Sequence, residues 1–200
     1  ETAAVALLRL GEPVHFERRV RSLRAAAKAT VAADGALQVL PAPDREGRYG
    51  QWDFLERLAR LHARDENVGS AERVYQKLID LVGAELQRLR KTPQAYGDWA
   101  RTLGTLRGAH YNLACVCAQR VKAGEALRHL KQAVDYGYLD IDWLKRDRDL
   151  DPIRDDPGYA ELLAYLEGRI RTFREAARKE LERAPEPKEK DADPKPPKGD

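Results

Sequence analysis

The feature that most constrains how this chain folds is an internal echo at a fixed spacing. Leu58, Ala59, Ala71 and Tyr75 return as Leu113, Ala114, Ala126 and Leu130, each 55 residues later. Apolar residues around these positions recur at steps of three and four, which puts them on one face of a helix. The alanines sit where two antiparallel helices must approach closely, and Leu113, Leu127 and Leu130 fill the spaces beside them. Such a pattern predicts packed helical hairpins and a mainly α fold.

In the first copy, residues 51–64 carry Phe54, Leu55, Leu58, Ala59, Leu61 and His62 at helical spacing. Asn67, Val68 and Gly69 break that run. Residues 70–89 then carry Ala71, Val74, Tyr75, Leu78, Val82 and Leu86 on one face, with Ser70 placed to cap the helix. In the second copy His110 to Cys117 leads into Gly124, Ala126, Leu127, Leu130 and Ala133.

These residues resemble a tetratricopeptide repeat. The likeness rests on first-helix Leu113 and Ala114, second-helix Ala126 and closing Ala133, with Leu130 where an aromatic is usual. Tyr138 stands where such a repeat often ends in proline. Downstream, Gly137-Tyr138, Asp142-Trp143-Leu144, Asp149-Leu150-Asp151-Pro152, Arg154-Asp155-Asp156-Pro157 and Tyr159 resemble the terminal module that closes repeat arrays in many bacterial proteins. The resemblance implies an α-α superhelical array with a binding or scaffold role.

A repeat of that family spans about 34 residues, so about 21 are extra here. Residues 82–91 keep the helical period, Thr92-Pro93 turns, and Tyr96, Trp99, Leu103 and Leu106 resume it. Both arms are thereby lengthened, predicting a long hairpin that projects beyond the repeat, stapled by Leu86, Leu89, Trp99 and Leu103.

In the terminal module Trp143 and Leu144 are expected to plug the end of the array, with Leu150, Pro152 and Ile153 folded beneath. Asp147, Asp149, Asp151, Asp155 and Asp156 offer oxygens at short spacing, as calcium requires, but a loop for that ion needs a central Gly and a closing Glu that are missing. Capping of helices and pairing with Arg148 and Arg154 are expected instead. A last helix opens at Pro157 and runs to about Arg183, with Leu162, Leu163, Leu166, Ile170, Phe173, Ala177 and Leu181 in a stripe. Its charged second half is expected to be exposed, capping the array or pairing with a partner helix. Residues 184–200, with five Pro among Lys, Asp and Glu, form an expected disordered tail.

Residues 1–40 are expected to stand apart from the helical unit at 51–183. Residues 3–20 alternate around Gly11 and Pro13 and predict a β-hairpin, loosely resembling the last strands of a PDZ domain. Residues 22–33 favour a helix, with Arg18, Arg19, Arg21, Arg24 and Lys28 as a solvated basic face. Pro41, Pro43, Gly47 and Gly50 mark a boundary loop over residues 41–50. The chain has no Met, so Glu1 is expected to lie within a longer polypeptide.

Composition narrows the function. The net charge of +3, on a chain that is 34% charged, is a mixed surface that gives no reason to expect nucleic acid. No apolar run reaches membrane-spanning length. Cys115 and Cys117 diverge on a helix and cannot bridge. The four His at 15, 62, 110 and 129 fall in separate elements, and no phosphate-binding Gly loop or nucleophile motif is present. No catalytic residue, cofactor or metal is therefore expected. The compartment is left between cytoplasm and cell envelope.

The repeat resemblance implies a groove lined by first helices. Its candidates here are Asp53, Glu56, Arg60 and Arg64 from the first copy, and Tyr111, Asn112, Cys115 and Gln119 from the second. Only Asn112 fits the carboxylate clamp of chaperone-binding members, so no chaperone is expected. The expected role is non-catalytic binding of a peptide or partner protein. Two alternatives stand beside it: an accessory region of a larger bacterial enzyme such as a PDZ-containing protease or a kinase, and an oligomerisation module using the long hairpin or last helix.

Overall fold

The computed structural model describes residues 29–31, 37–39, 44–92 and 95–183. The expected hairpin at 3–20, the basic face at 18–28 and the tail at 184–200 lie outside them. Two short strands, β1 (Ala29–Val31) and β2 (Leu37–Val39), pair antiparallel with Ala29 opposite Val39. The helix expected over residues 22–33 is corrected at residues 29–31, the rest of that span lying outside the described residues. β-branched Thr30 and Val31 lose rotamer freedom in a helix and favour extended backbone.

Six α-helices follow. These are α1 (Arg45–Arg64), α2 (Val68–Leu89), α3 (Tyr96–Gln119), α4 (Ala123–Asp135), α5 (Ile141–Arg146) and α6 (Pro157–Arg183), with a 3₁₀ helix (Arg148–Ile153) between the last two. Connections of a few residues fold α1 against α2, α2 against α3 and α3 against α4. The protein is mainly α, and none of the described helices is long and apolar enough to cross a membrane.

Ala59, Ala71, Ala114, Ala126 and Ala133 are all fully buried, so the small residues do lie between helices. Their neighbours Leu55, Tyr75, Leu78, Leu106, Leu113 and Leu130 are at most 1% exposed and form the centre of one continuous core. Leu58, matched in sequence to Leu113, is only partly buried. Leu55 takes the inward position on α1.

The echo in sequence is also an echo in backbone. At the end of α1, Asn67 N–H bonds His62 C=O (2.8 Å) and Glu66 N–H bonds Ala63 C=O (3.2 Å). At the end of α3, Lys122 N–H bonds Cys117 C=O (2.9 Å) and Val121 N–H bonds Ala118 C=O (2.8 Å), the same pair of bonds displaced by 55 residues. Both are Schellman closures, which satisfy carbonyls a helix end would otherwise leave open. A third closes α4 at Gly137, whose φ of 94° suits a residue without a Cβ.

Two helix starts differ from expectation. Asn67, not Ser70, caps α2, its side chain accepting from Ser70 N–H. Helix α1 begins at Arg45, inside the expected boundary loop. Asp44 there accepts from Gly47 N–H (2.6 Å), and Tyr49 and Trp52 are buried. The lengthened α1 changes the long hairpin's surroundings. Leu86 and Leu89 are buried and Trp99 and Leu103 pack on the core as expected, but the far part of the hairpin does not stand alone. Tyr49 O–H donates to Asp98, Arg45 pairs with Asp98, Arg101 lies 4.2 Å over the Tyr49 ring, and Arg48 reaches Glu85 at 3.5 Å.

In the terminal module Leu144, Leu150 and Ile153 are buried, while Trp143 is half exposed and Pro152 faces solvent. The plug is therefore Leu144 without its Trp neighbour. Tyr159 O–H donates to Leu144 C=O (2.7 Å) and ties α6 to α5. Arg154 donates to the carbonyls of Lys145 and Asp147 and pairs with Asp151, so Arg154 carries the pairing that had been divided between it and Arg148. Gly158 lets α6 approach α4, since a Cβ there would lie 2.7 Å from Leu127 Cδ1.

Candidate functional site

The groove candidates separate into three groups. On α1, Asp53 pairs with Arg101 of α3 at 3.5 Å, and Glu56 pairs with Arg60 one turn away at 3.3 Å. Arg64 lies exposed at the end of the same row and has no ion pair among the described residues.

The second group gathers around Tyr75, which sequence reasoning treated only as a packing residue. Tyr75 stands on α2 beneath both first helices and is 1% exposed. Burial pushes its hydroxyl well above the ordinary tyrosine range, Arg60 partly offsets this, and Glu56 and Cys115 add to it. Asn112 is a neighbour of the same hydroxyl and also lowers it. Residues from α1 and α3 therefore lie near the Tyr75 hydroxyl of α2, Arg60 and Glu56 on α1 and half-buried Asn112 on α3.

The third group is engaged by hydrogen bonds. Tyr111 and Cys115 are buried, and Gln119 is occupied. Asp147, which caps the 3₁₀ helix through Asp149 N–H (3.1 Å), accepts from Tyr111 O–H at 2.6 Å and from the Cys115 thiol at 3.8 Å. Gln119 donates to Asp149 at 3.1 Å. Tyr111 also stacks on Tyr138 with ring centres 4.7 Å apart. The face of α3 that carries Tyr111, Cys115 and Gln119 is in this way the seat of the 3₁₀ helix and its cap. The local cause is spacing: residues 111, 115 and 119 fall one helical turn apart, and the 3₁₀ helix lies along that row.

Thiol and carboxylates also meet here, with ligand atoms of Cys115, Asp147 and Asp149 within 4.8 Å of one another. All three side chains are already engaged in hydrogen bonds. Burial, followed by the nearby Asp147 charge, pushes the Cys115 thiol well up, away from the thiolate that a metal needs. Burial likewise raises Cys117 to about 11.

Between α3 and α4 the structure forms a contact that the sequence did not reveal. His110 and His129, both buried, meet through their Nδ1 atoms at 3.0 Å, and His110 also stacks on Tyr136. One ring donates and the other accepts, so the accepting ring is neutral. Burial and the adjacent His129 lower His110 to about 4, and burial and Arg128 lower His129. Glu72 on α2 joins the two copies at their turns, binding Arg120 and, at 2.9 Å, Lys122. Compared with known proteins, no family model matches the chain, and no curated protein or solved structure matches it either.

Proposed function

We propose that this chain is a non-catalytic protein-interaction segment that holds an extended peptide of a partner protein in the trough between α1 and α3. What supports this reading is that Arg60 and Glu56 on α1 and half-buried Asn112 on α3 all lie near enough to the Tyr75 hydroxyl to shift its proton affinity, with Arg64 exposed at the end of the α1 row. An extended peptide brings unpaired backbone donors and acceptors. An Asn amide offers one of each, and a guanidinium adds a charge-assisted bond to any carboxylate. Arg64, free of an ion pair among the described residues, gives the rim a positive end for an acidic peptide.

The reactive side chains support the same reading, because their chemistry is spent on structure. The two thiols are held protonated, and His110 and His129 satisfy each other. The test is a peptide array probed with the full chain. Acidic sequences should be retained, and retention should fall with Arg60→Glu/Arg64→Glu and with Asn112→Ala. An array on which nothing is retained, or retention indifferent to these changes, refutes it.

A further inference from the structure

Among the described residues, only the first half of α6 has a surface to pack on. Leu162 and Leu166 are buried and Leu163 and Ile170 lean on the core, but every residue from 171 to 183 is exposed. The apolar period continues regardless. Ile170, Phe173, Ala177 and Leu181 follow at helical steps, and Phe173 and Leu181 are 62% and 77% exposed. A segment this short is marginal as a helix in water by itself. A stripe that outlasts its own core marks a place for another helix.

The borders of the stripe say which kind. At about 100° per residue, Arg174, Arg178 and Arg171 lie along one side of it, while the other side carries Arg169, Ala176 and Glu180. Arg178 meets Glu182 at 2.8 Å, and Glu180 meets Arg183 at 3.3 Å. Arg171 and Arg174 have no ion pair among the described residues. A second copy is a poor occupant. Antiparallel pairing brings like borders together and sets arginine against arginine, whereas parallel pairing offers those arginines only Glu180. An anionic membrane is disfavoured by Glu175, Glu180 and Glu182, which are interleaved on the same turns.

We propose that the C-terminal half of α6 docks an amphipathic helix of a different protein. That helix packs its apolar stripe on Ile170, Phe173, Ala177 and Leu181 and places acidic side chains against Arg171, Arg174 and Arg178. The site is separate from the trough and does not depend on what the trough binds.

The full chain is titrated with two labelled helical peptides of about three heptads, each with Leu at the a and d positions. One carries Glu at e and g, the other Lys. The Glu peptide should bind at least about tenfold tighter, Phe173→Ala/Leu181→Ala should cost about tenfold, and Arg171→Glu/Arg174→Glu should reverse the preference. Arg60→Glu/Arg64→Glu should leave this binding unchanged, and far-ultraviolet circular dichroism should show the same helix content in all variants. Equal binding of both peptides, or binding of neither, overturns the proposal. So does attachment to phosphatidylserine vesicles, or self-association in sedimentation, that disappears with Phe173→Ala/Leu181→Ala.

Discussion

Glu66 and Val121, 55 residues apart, occupy the same left-handed position, each with φ of 57°. Each is the residue just past a first helix, and each donates to the carbonyl three residues back. Neither is a good occupant. Left-handed backbone presses a Cβ on the carbonyl oxygen, and a β-branched side chain such as Val121 is the worse case. The third equivalent turn uses Gly137.

Val121→Gly should therefore stabilise the protein by about 1 kcal/mol, because the strain removed exceeds the freedom glycine adds to the unfolded chain. Glu66→Gly should gain less, and Gly137→Ala should lose about 1 kcal/mol. Urea denaturation with unchanged slope checks all three.

The His110–His129 pair makes stability depend on pH. Both folded values lie below the ordinary histidine value of 6.5, so the unfolded chain binds protons at a pH where the folded chain does not. The stabilisation is complete above pH 6.5 and is lost as pH falls toward about 4, by His110 alone about 3 kcal/mol at most. Replacing both with Leu should flatten this window. His129→Leu alone should cost about 1–3 kcal/mol even at neutral pH by leaving the His110 Nδ1 without its partner. Thermal melts between pH 4 and 7.5 would show both effects.

Below that window a second acid loss is expected. Glu85 is lowered by its hydrogen bond from Arg88, and Asp98 by its bond from Tyr49. Glu72 is raised by burial, yet Lys122 and Arg120 outweigh this and hold it low. Groups with depressed folded values stabilise above their unfolded values and lose that contribution as they protonate. A Glu72→Gln variant should lose less stability than the parent between pH 4.5 and pH 3 at low salt.

Tyr111 holds the terminal module to α3 through Asp147. Tyr111→Phe keeps the ring stacked on Tyr138 but withdraws a donor from a carboxylate, at a cost of about 1.5–3 kcal/mol. Backbone amides of residues 148–153 should exchange faster with solvent, while those of α1 change little. Uniform acceleration throughout the chain would refute the local assignment.

Gly158 sets how closely α6 meets α4. Gly158→Ala should destabilise by about 1–2 kcal/mol, because its Cβ meets Leu127 Cδ1. In a Leu127→Ala background the same change should cost clearly less, a coupling that a double-mutant cycle measures.

The sequence by itself determined the helical segments and the buried seam. Period and alanine spacing are local properties of the chain, and Ala59, Ala71, Ala114 and Ala126 all ended where they predicted. Helix starts were less legible, since Asp44 and Asn67 compete with other plausible caps nearby. Tertiary structure alone decided which groove candidates stay open. Tyr111, Cys115 and Gln119 look like Asn112 in a helical pattern, yet Asp147 and Asp149, 30 or more residues downstream, engage the first three and leave Asn112 beside Tyr75. The same holds for Tyr49 with Asp98 and His110 with His129. Periodicity reports which face of a helix is apolar. Which polar group from a distant segment meets that face depends on how the helices stack, and on the cost of leaving a buried donor or acceptor unpaired.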